Sequence, residues 1–346
     1  MRIVVAMSGG VDSSVVAGLM HEAGHEVIGV TLQLYDHGAA SGRKGACCAG
    51  QDIHDARNVA DRLGIAHYVI DAEAAFRAAV IGDFADSYAA GTTPVPCVRC
   101  NQHLKFGDLL VLARDLGAEA LATGHYVRRE QGPEGAELHT AADAARDQSW
   151  FLFATTRDQL DYARFPLGAM PDKAAVRAEA ARMGLPVAEK ADSQDICFVP
   201  AGSYADIVGR LRPEATAPGE IVDAAGTVLG THQGIARYTV GQGKRLGAAS
   251  GQVVTRIDPE RRRIVVGPRG TGARMVRFTE PNWLIDRPET PFRATVKLRA
   301  REMPHPATID AAAGTVTLDE PVLAAPGQAC VIYRDSRVLG GGFIAA

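Results

Sequence analysis

The chain has 346 residues, 47% hydrophobic and 22% charged, which is the balance of an ordinary globular protein. This length predicts two or three domains. The net charge of −3 excludes a protein that binds nucleic acid through an overall basic charge, although a local basic patch would suffice for RNA. No apolar run approaches the roughly 20 residues of a membrane helix, and the short apolar start does not fit a secretory signal. We therefore expect a soluble cytoplasmic protein that has no membrane partner.

Residues 1–150 alternate between β-branched strands and amphipathic helices. The predicted strands are Arg2–Met7, His25–Tyr35, His67–Ile70 and Ala118–Thr123, and the predicted helices are Ser13–Glu22, Gln51–Leu63, Ala74–Ala90 and Leu104–Leu116. The segment Tyr35–Gly50, rich in Gly, Ala and basic residues, is predicted to be a loop. Strands separated by helices of this length indicate an α/β fold with a doubly wound, mainly parallel sheet. Ligands of such sheets bind beyond the carboxyl ends of the strands.

The rest of the chain changes character twice. Residues 151–217 are predicted to form a mainly helical extension, with a helix at Lys173–Met183. From Pro218 onward, short β-branched runs alternate with turn residues; the runs are Glu220–Val222, Gln252–Ile257, Arg263–Val266, Phe292–Leu298, Thr315–Leu318 and Ala329–Tyr333. This spacing predicts one or two small β-barrels. We place a small central β domain at 218–272 and a C-terminal β-barrel at 273–346.

The strongest local motif is Ser8–Ser14, which reads Ser-Gly-Gly-Val-Asp-Ser-Ser between the first strand and the first helix. Its two glycines let backbone N–H groups converge on an anion, and the N-terminus of the following helix favours negative charge. Asp12 could hold Mg²⁺ against bound phosphates. The motif lacks the Gly-Lys-Ser/Thr ending of a Walker loop. A tight strand-to-helix turn capped by Ser and Asp would use similar residues and stays an alternative.

Two cysteines form a Cys-x-x-Cys pair after a Pro-rich approach. Cys100 is predicted to lie just before a helix, beside Arg99 and Lys105. A thiol in that position should have a pKa below the free value of about 8.5. A redox pair, half of a zinc site or cluster ligands would all use Cys97 and Cys100 in this spacing. No second pair with zinc spacing follows, which argues against structural zinc.

The other cysteines carry weaker signals. Cys197 stands alone in the polar segment Lys190–Phe198, where a buried structural thiol is the alternative to a functional one. Cys47 and Cys48 fall in the predicted loop and have no assignable role, and Cys330 is predicted to belong to a core. Six cysteines spread this unevenly do not fit a secreted disulfide framework.

Several motifs, in order along the chain, resemble the tRNA-specific 2-thiouridylase family of the PP-loop ATP pyrophosphatase superfamily. They are Ser8–Ser14, the Pro-rich segment ending in Cys100-Asn101 with Lys105-Phe106, Ala122–Tyr126, Asp147–Ser149, Asp192–Phe198, and His232–Gly234 with Gly241-Gln242. The resemblance covers the whole chain. It implies a PP-loop ATPase domain, a small central domain and a C-terminal β-barrel.

The resemblance also implies roles for individual residues. Cys100 falls on the family's nucleophile, and Cys197 falls on its persulfide-bearing cysteine. The positions that contact ATP are Ala6, Met7, Ser8, Gly9, Gly10, Val11, Asp12, Ser13, Leu32 and Gly124. The positions that contact tRNA are Arg146, Asp147 and Gln148, together with Arg299 and Ala300, where the family often has Arg-Tyr.

The implied activity is that of a tRNA-uridine 2-sulfurtransferase acting on the wobble uridine of tRNAs for Lys, Glu and Gln. ATP would adenylate the C2 oxygen and release pyrophosphate. A persulfide on Cys197, loaded by a cysteine desulfurase or a sulfur-relay protein, would supply the sulfur. Attack by Cys100 would leave a Cys100–Cys197 disulfide, which an external reductant must open.

Cys97 departs from those family members that carry Asp at this position as a general base. A thiol does not substitute for a carboxylate, so the general base has no assigned residue. Cys97, Cys100 and Cys197 could instead hold three corners of an iron–sulfur cluster whose open iron binds sulfide.

Two further functions stay open on the residues alone. An ATP-dependent amidating or ligating enzyme with the same phosphate loop would need no distant pair of cysteines. A non-catalytic RNA-binding protein would work through its β-barrels, and the intact motif at 8–13 argues against it.

Overall fold

A computed structural model describes residues 1–35, 48–191, 196–199, 203–249 and 251–346. Most of the predicted loop at 35–50, including Cys47, lies outside these residues. The chain forms two compact units: Met1–Ala79 with Cys97–Ala201 and Ser336–Val338, and Val80–Pro96 with Gly202–Asp335 and Leu339–Ala346. Within the described ranges, no helix combines the length and the apolar character that a membrane span requires.

The first unit is built on a five-stranded parallel sheet. Its strands are β1 (Arg2–Ala6), β2 (Glu26–Gln33), β3 (Ala66–Asp71), β4 (Ala120–Ala122) and, after an antiparallel hairpin of β5 (Val127–Gly132) and β6 (Gly135–Thr140), β7 (Ala163–Arg164). The order across the sheet is β3-β2-β1-β4-β7, so β1 is central, with Val4 opposite both Ile28 and Leu121. The predicted α/β fold class with a parallel sheet is confirmed.

Helices cover this sheet and supply its core. The longer ones are α1 (Val11–Glu22), α2 (Cys48–Leu63) and a helix at Lys173–Arg182; shorter ones lie at Glu73–Phe76, Arg77–Gly82, Ser149–Leu152, Arg157–Tyr162 and Pro166–Ala169. Helix α1 is buried around most of its circumference, and its residues Val15, Val16 and Ala17 belong to the same core as strand residues such as Val5. Because α1 follows β1 directly, this packing fixes the start of α1 at the carboxyl end of the central strand.

A continuous helical segment, which we call the cysteine helix, spans residues 96–115. It is α-helical at Pro96–Arg99, π-helical at Cys100–Asp108 and α-helical again at Leu109–Asp115. The sequence predicted a helix that begins just after Cys100, near residues 101–104, whereas the segment begins one to two turns earlier, at Pro96. Pro96 opens the segment because proline fits the first turn of a helix, where its missing N–H is not needed.

The second unit contains two β structures and helices at Asp83–Ala89, Tyr204–Leu211, Pro213–Thr216, Ile235–Arg237 and Gly247–Ala249. The first β structure is a four-stranded sheet of β8 (Gly219–Val222), β9 (Val228–His232), β10 (Val253–Asp258) and β11 (Arg263–Gly267), in the order β10-β11-β8-β9. Strands β8 and β11 pair in parallel, and the other neighbours are antiparallel.

The second β structure is a closed barrel. Its six strands are β12 (Ala273–Trp283), β13 (Phe292–Lys297), β14 (His305–Asp310), β15 (Thr315–Val322), β16 (Ala329–Arg334) and β17 (Arg337–Ile344). The order is β12-β15-β14-β13-β16-β17, and pairing of β12 with β17 closes the ring. Closure leaves no free sheet edge. Cys330 is fully buried in the barrel core, as the sequence predicted.

The barrel core provides a test of packing. In β15, Leu318 is buried and neighbouring Thr317 is exposed. We expect Leu318→Ala to lower the free energy of unfolding by about 2–5 kcal/mol, because it removes buried methyl groups and leaves a cavity. Thr317→Ala is the matched control and should change it by less than about 0.5 kcal/mol. Urea unfolding of both variants measures the difference, and equal losses would contradict this assignment of the core.

Candidate functional site

The phosphate loop lies where β1 ends and α1 begins. Gly9 adopts a left-handed backbone with φ of +73°, which glycine tolerates because it has no Cβ. Gly10 caps α1 in an extended conformation without a side-chain hydrogen bond to the helix. The first N–H groups of α1 therefore have no side-chain acceptor at the cap, which is the arrangement that binds an anion at a helix N-terminus.

The serines of the loop divide between two tasks. The Ser8 backbone N–H donates to Ser13 Oγ over 3.1 Å, and the two serine hydroxyls are 3.3 Å apart. Ser14 Oγ instead donates to the Gly10 carbonyl over 2.8 Å and is fully buried. Ser8 thus remains exposed, whereas Ser13, whose hydroxyl also donates to the Gly10 carbonyl over 3.2 Å, and Ser14 are buried and hold the turn together.

Lys190 fixes the loop from the other side of the chain. Its Nζ donates to the Gly9 carbonyl over 3.0 Å and to carboxylate oxygens of Asp52 and Asp55 in α2 over 2.7 and 2.5 Å. Burial lowers the pKa of Lys190, but these hydrogen bonds outweigh it and raise the pKa overall. Lys190 had no role predicted from the sequence. The sequence feature that could have indicated this role is the pair Asp52 and Asp55, three residues apart on α2, since two neighbouring carboxylates favour a cation between them.

A pocket of about 240 Å³, which we call the nucleotide pocket, opens beside the loop. Most residues predicted to contact ATP line it, namely Ala6, Met7, Ser8, Asp12, Ser13, Leu32 and Gly124. Gly124 leaves room where the backbone comes close, because a Cβ there would lie 3.0 Å from the Ser13 nitrogen. The structure therefore brings the predicted ATP-contacting residues together at one end of the sheet, as expected for a doubly wound fold.

A second pocket of about 400 Å³ adjoins the first, and we call it the sulfur pocket. It is lined by Gly10, Val11, Arg146, Lys190 and Cys197, among others. The two pockets share five wall residues: Ser8, Asp12, Leu32, Leu34 and Gln148. Cys197 therefore lines the same pocket as Ser8, Gly10, Val11 and Asp12 of the phosphate loop.

The environment of the three central cysteines corrects one prediction. Cys97 and Cys197 are exposed and Cys100 is buried, and the structure describes all three as free thiols. Burial is the largest influence on Cys100 and raises its pKa, with Lys105 opposing it and Cys97 adding to it. The predicted lowering of this pKa is therefore wrong, because loss of hydration outweighs the nearby cation. The predicted place of Cys100 at a helix N-terminus is also wrong, since the cysteine helix begins one turn earlier at Pro96.

The other two thiols show the same balance of effects. Cys97 and Cys197 open to solvent, yet protein atoms around this concave site remove enough water to raise both pKa values, that of Cys197 to about 12. Lys105 lowers the pKa of both thiols. Arg99, the other predicted cation, donates a hydrogen bond to Gln102 Oε1 over 3.2 Å.

His125 is buried between the nucleotide pocket and the cysteine helix. Its Nδ1 lies 2.8 Å from Thr123 Oγ1, and its Nε2 lies 3.5 Å from Lys105 Nζ. Burial, followed by repulsion from Lys105, holds the pKa of His125 well below its usual value. The imidazole is therefore neutral, and because an ammonium only donates, Nε2 is the acceptor and Nδ1 carries the proton.

Metal ligands are the least supported part of the predicted site. Throughout the described part of the chain, no three His, Cys, Asp or Glu side chains are grouped so that they could hold a metal ion; Cys97, Cys100 and Cys197 are among the residues searched. Asp12, the predicted magnesium ligand, accepts hydrogen bonds from Lys173 Nζ at both carboxylate oxygens, over 2.7 and 2.8 Å. The Tyr126 hydroxyl donates to the same carboxylate over 2.6 Å.

Three predicted tRNA contacts lie on one loop of the first unit. Arg146 lines the sulfur pocket, and Gln148 lines both pockets while its Oε1 accepts from the Tyr126 N–H over 2.9 Å. Asp147 is engaged within the loop, because its carboxylate accepts from the N–H groups of Ala141 and Ser149 and from the Ser149 hydroxyl. Asp147 therefore shapes the loop that presents its two neighbours.

The other two predicted tRNA contacts, Arg299 and Ala300, lie in the second unit. Arg299 Nη2 donates to the carbonyls of Val240 and Leu323, over 3.4 and 3.2 Å. Ala300 is half-buried in the turn after it. Arg299 thus holds the segment that contains Gly241-Gln242, and its guanidinium is partly committed to protein carbonyls.

Comparison with known proteins matches all three parts of the chain. Residues 1–201 match the tRNA methyl transferase HUP domain, residues 206–268 the tRNA methyl transferase PRC-barrel domain, and residues 273–344 the aminomethyltransferase beta-barrel domain. The tRNA-specific 2-thiouridylase MnmA of Acidiphilium cryptum is 85% identical over 99% of this chain and 100% of its own length. Its counterpart in Gluconobacter oxydans is 64% identical over 100% of this chain and 99% of its own.

Some solved structures also match the chain, at low similarity. One is described as a 4-thiouridine synthetase–RNA complex with bound ATP. It has a TM-score of 0.35 and 18% sequence identity, covering 61% of this chain and 50% of that one. A likeness this low adds nothing to the interpretation of the site.

The loop geometry predicts the effect of adding one methyl group. Gly9→Ala would place a Cβ 2.1 Å from the Asp52 carbonyl oxygen, on a backbone that L-residues rarely adopt. We expect the affinity of the variant for ATP to fall at least tenfold, because the loop must move to relieve the contact. Isothermal titration calorimetry measures this. Gly50→Ala in α2, whose Cβ meets nothing within 4 Å, is the matched control; equal ATP affinity in both variants would contradict the assignment.

The neutral His125 predicts a pH dependence of stability. Its pKa is lowered on folding from about 6.5 in the unfolded chain, so the unfolded state binds more protons as the pH falls below that value. The stabilisation is complete above about pH 6.5 and is lost as the pH falls toward the folded pKa. Between pH 7.5 and 5.5, the free energy of unfolding of His125→Asn should fall by about 1.4 kcal/mol less than that of the native chain. Urea unfolding at both pH values measures this, and parallel losses would show that His125 does not titrate on unfolding.

Proposed function

This chain belongs to the tRNA-specific 2-thiouridylase family, and we propose that it replaces the C2 oxygen of the wobble uridine with sulfur in tRNAs for Lys, Glu and Gln. The observation that carries the proposal is the shared wall of the two pockets. Through this wall, the pocket that Cys197 lines borders the pocket of the predicted ATP-contacting residues, which supports delivery of sulfur beside a bound nucleotide. The matched domain descriptions mention methyl transfer, but methyl transfer needs neither a phosphate loop nor thiols beside it.

The first half of the reaction activates the oxygen. The uridine C2 oxygen is part of a ring amide and leaves poorly until it is converted to an ester of AMP. The N-terminus of α1 and the hydroxyls of Ser8 and Ser13 would hold the ATP phosphates while the C2 oxygen attacks the α-phosphorus and pyrophosphate leaves. The target base must leave its stack to reach the pocket, and Arg146 and Gln148 are placed to meet the RNA at the sulfur pocket.

The second half delivers sulfur. The terminal sulfur of a persulfide on Cys197 attacks C2 and AMP leaves with the oxygen. The thiolate of Cys100 then attacks Cys197 Sγ, the bond to the transferred sulfur breaks, and its electron pair remains on the sulfur at C2 as 2-thiouridine. The product disulfide joins Cys100 to Cys197, so a thiol reductant is needed for the next turnover. A cysteine desulfurase or sulfur-relay protein is the proposed source of the persulfide, which Cys197 can receive because it is exposed.

Magnesium enters this scheme as the counter-ion of ATP. Asp12 does not fit a magnesium ligand as it stands, because Lys173 already contacts both of its oxygens and would repel a second cation. We therefore assign the ion no protein ligand. Lys173 instead keeps Asp12 neutralised at the edge of the phosphate site.

The first experiment is nucleoside mass spectrometry of unmodified tRNA incubated with the protein, Mg-ATP and a persulfide donor. We expect ATP-dependent 2-thiouridine that disappears in Cys197→Ser, while that variant still releases pyrophosphate. Cys330→Ala, in the barrel core, is the control and should retain thiolation. Pyrophosphate release without thiouridine, even with sulfide and a reconstituted iron–sulfur cluster, would favour the amidating or ligating alternative. Activity that requires iron in anaerobically purified protein would replace the persulfide route with the cluster.

A further inference from the structure

The π-helical part of the cysteine helix changes which residues share a face. Cys100 and Lys105 are the first and sixth residues of this segment. In an α-helix, residues five apart point in directions roughly 140° apart. In a π-helix the hydrogen bonds join residues five apart, so one lies a single turn above the other. The π-helix therefore brings Lys105, which lines the nucleotide pocket, over Cys100.

His125 determines how Lys105 is held. Its neutral Nε2 accepts from Lys105 Nζ, at the long distance of 3.5 Å, while Thr123 Oγ1 fixes the other ring nitrogen. The rings of Phe106 and Phe165 lie about 6 Å from the imidazole and restrict its position. A neutral acceptor orients the ammonium without cancelling its charge, whereas the carboxylates that contact Lys173 and Lys190 neutralise theirs.

The surroundings of Lys105 contain few competing charges. His125 faces it from the loop after β4, Cys97 and Cys100 lie on its own helix, and Cys197 approaches from its own segment. Asp12 lines the same pocket from α1, but Lys173 contacts both of its carboxylate oxygens. Among the described residues that influence all three thiols, Lys105 is the one cation, and it lowers the pKa of each.

We propose that Lys105 is the residue that stabilises the sulfur anions of the reaction: the thiolate of Cys100 and the persulfide anion of Cys197. This inference rests on the proposed sulfur transfer and supplies what Cys97 does not, because a thiol in that position is a poor general base. The Cys100 proton is lost to solvent, and the ammonium of Lys105 stabilises the thiolate that remains. His125 acts as a positioning residue for that ammonium.

The test measures thiol acidity in the complete protein, without ATP or tRNA. The rates of iodoacetamide alkylation of Cys100 and Cys197 are followed against pH by mass spectrometry of their peptides. Cys330, which has no exposed surface in the barrel core, is the internal unreactive thiol. In Lys105→Met we expect both midpoints to rise by about one pH unit, which is about tenfold less thiolate at a given pH. Lys105→Arg should remain close to the native chain.

Two more variants separate charge from damage to the helix. His103→Met changes an exposed residue of the same π-helix and should leave both midpoints unchanged. His125→Leu keeps Lys105 but removes its acceptor, and should raise the midpoints by less than Lys105→Met does. His125→Leu also provides the test if Lys105→Met does not fold.

The outcomes distinguish this proposal from the function itself. Unchanged midpoints in both Lys105→Met and His125→Leu would overturn the role of Lys105 even if the protein makes 2-thiouridine. Equal shifts in His103→Met would also overturn it, because the effect would then come from the helix. If Lys105→Met shifts the alkylation midpoints but the native protein makes no 2-thiouridine, the effect of Lys105 on the thiols stands and the proposed sulfur transfer is rejected.

Discussion

The left-handed peptide at Gly9 constrains the whole site. Its backbone lies so close to the Asp52 carbonyl that no side chain fits, and its own carbonyl accepts a hydrogen bond from Lys190. The loop is therefore held from α2 on one side and from the segment leading to Cys197 on the other. Because the loop cannot shift between these supports, the N-terminus of α1 keeps a fixed position at the carboxyl end of β1.

Three lysines surround this loop, and their partners give them different tasks. Lys173 pairs with Asp12 and Lys190 with Asp52 and Asp55, so both charges are neutralised and both side chains serve to fix geometry. Lys105 contacts a neutral imidazole and keeps its charge. A site that handles phosphate and sulfur anions needs such an uncompensated cation, because the concave surroundings otherwise disfavour every anion formed there.

The raised pKa values of the thiols fit a protected resting state. Neutral thiols react slowly with oxidants and electrophiles, since the thiolate is the reactive form. Cys97 and Cys197 combine exposure with poor hydration because the site is concave. On the proposed mechanism, the sulfur chemistry begins when a persulfide, a stronger acid than the thiol it replaces, is placed on Cys197.

The sequence by itself determined strands β1 to β4, helices α1 and α2, and the phosphate loop. These features are local: β-branched runs, helical periodicity and a Gly-Gly turn are each decided within a few residues. The hairpin of β5 and β6 was not predicted, because Val127–Gly132 is mostly polar and lacks alternation.

Only the tertiary structure decided the balance of charge at the site. The sequence placed Cys100 beside two cations and predicted an acidic thiol, whereas burial by distant parts of the chain reverses the direction of its pKa. Lys190 reaches Asp52 across more than a hundred residues, and the π-helix carries Lys105 onto a face that α-helical spacing would deny it. Hydration and long-range contacts belong to the folded chain, so residue order alone does not specify them.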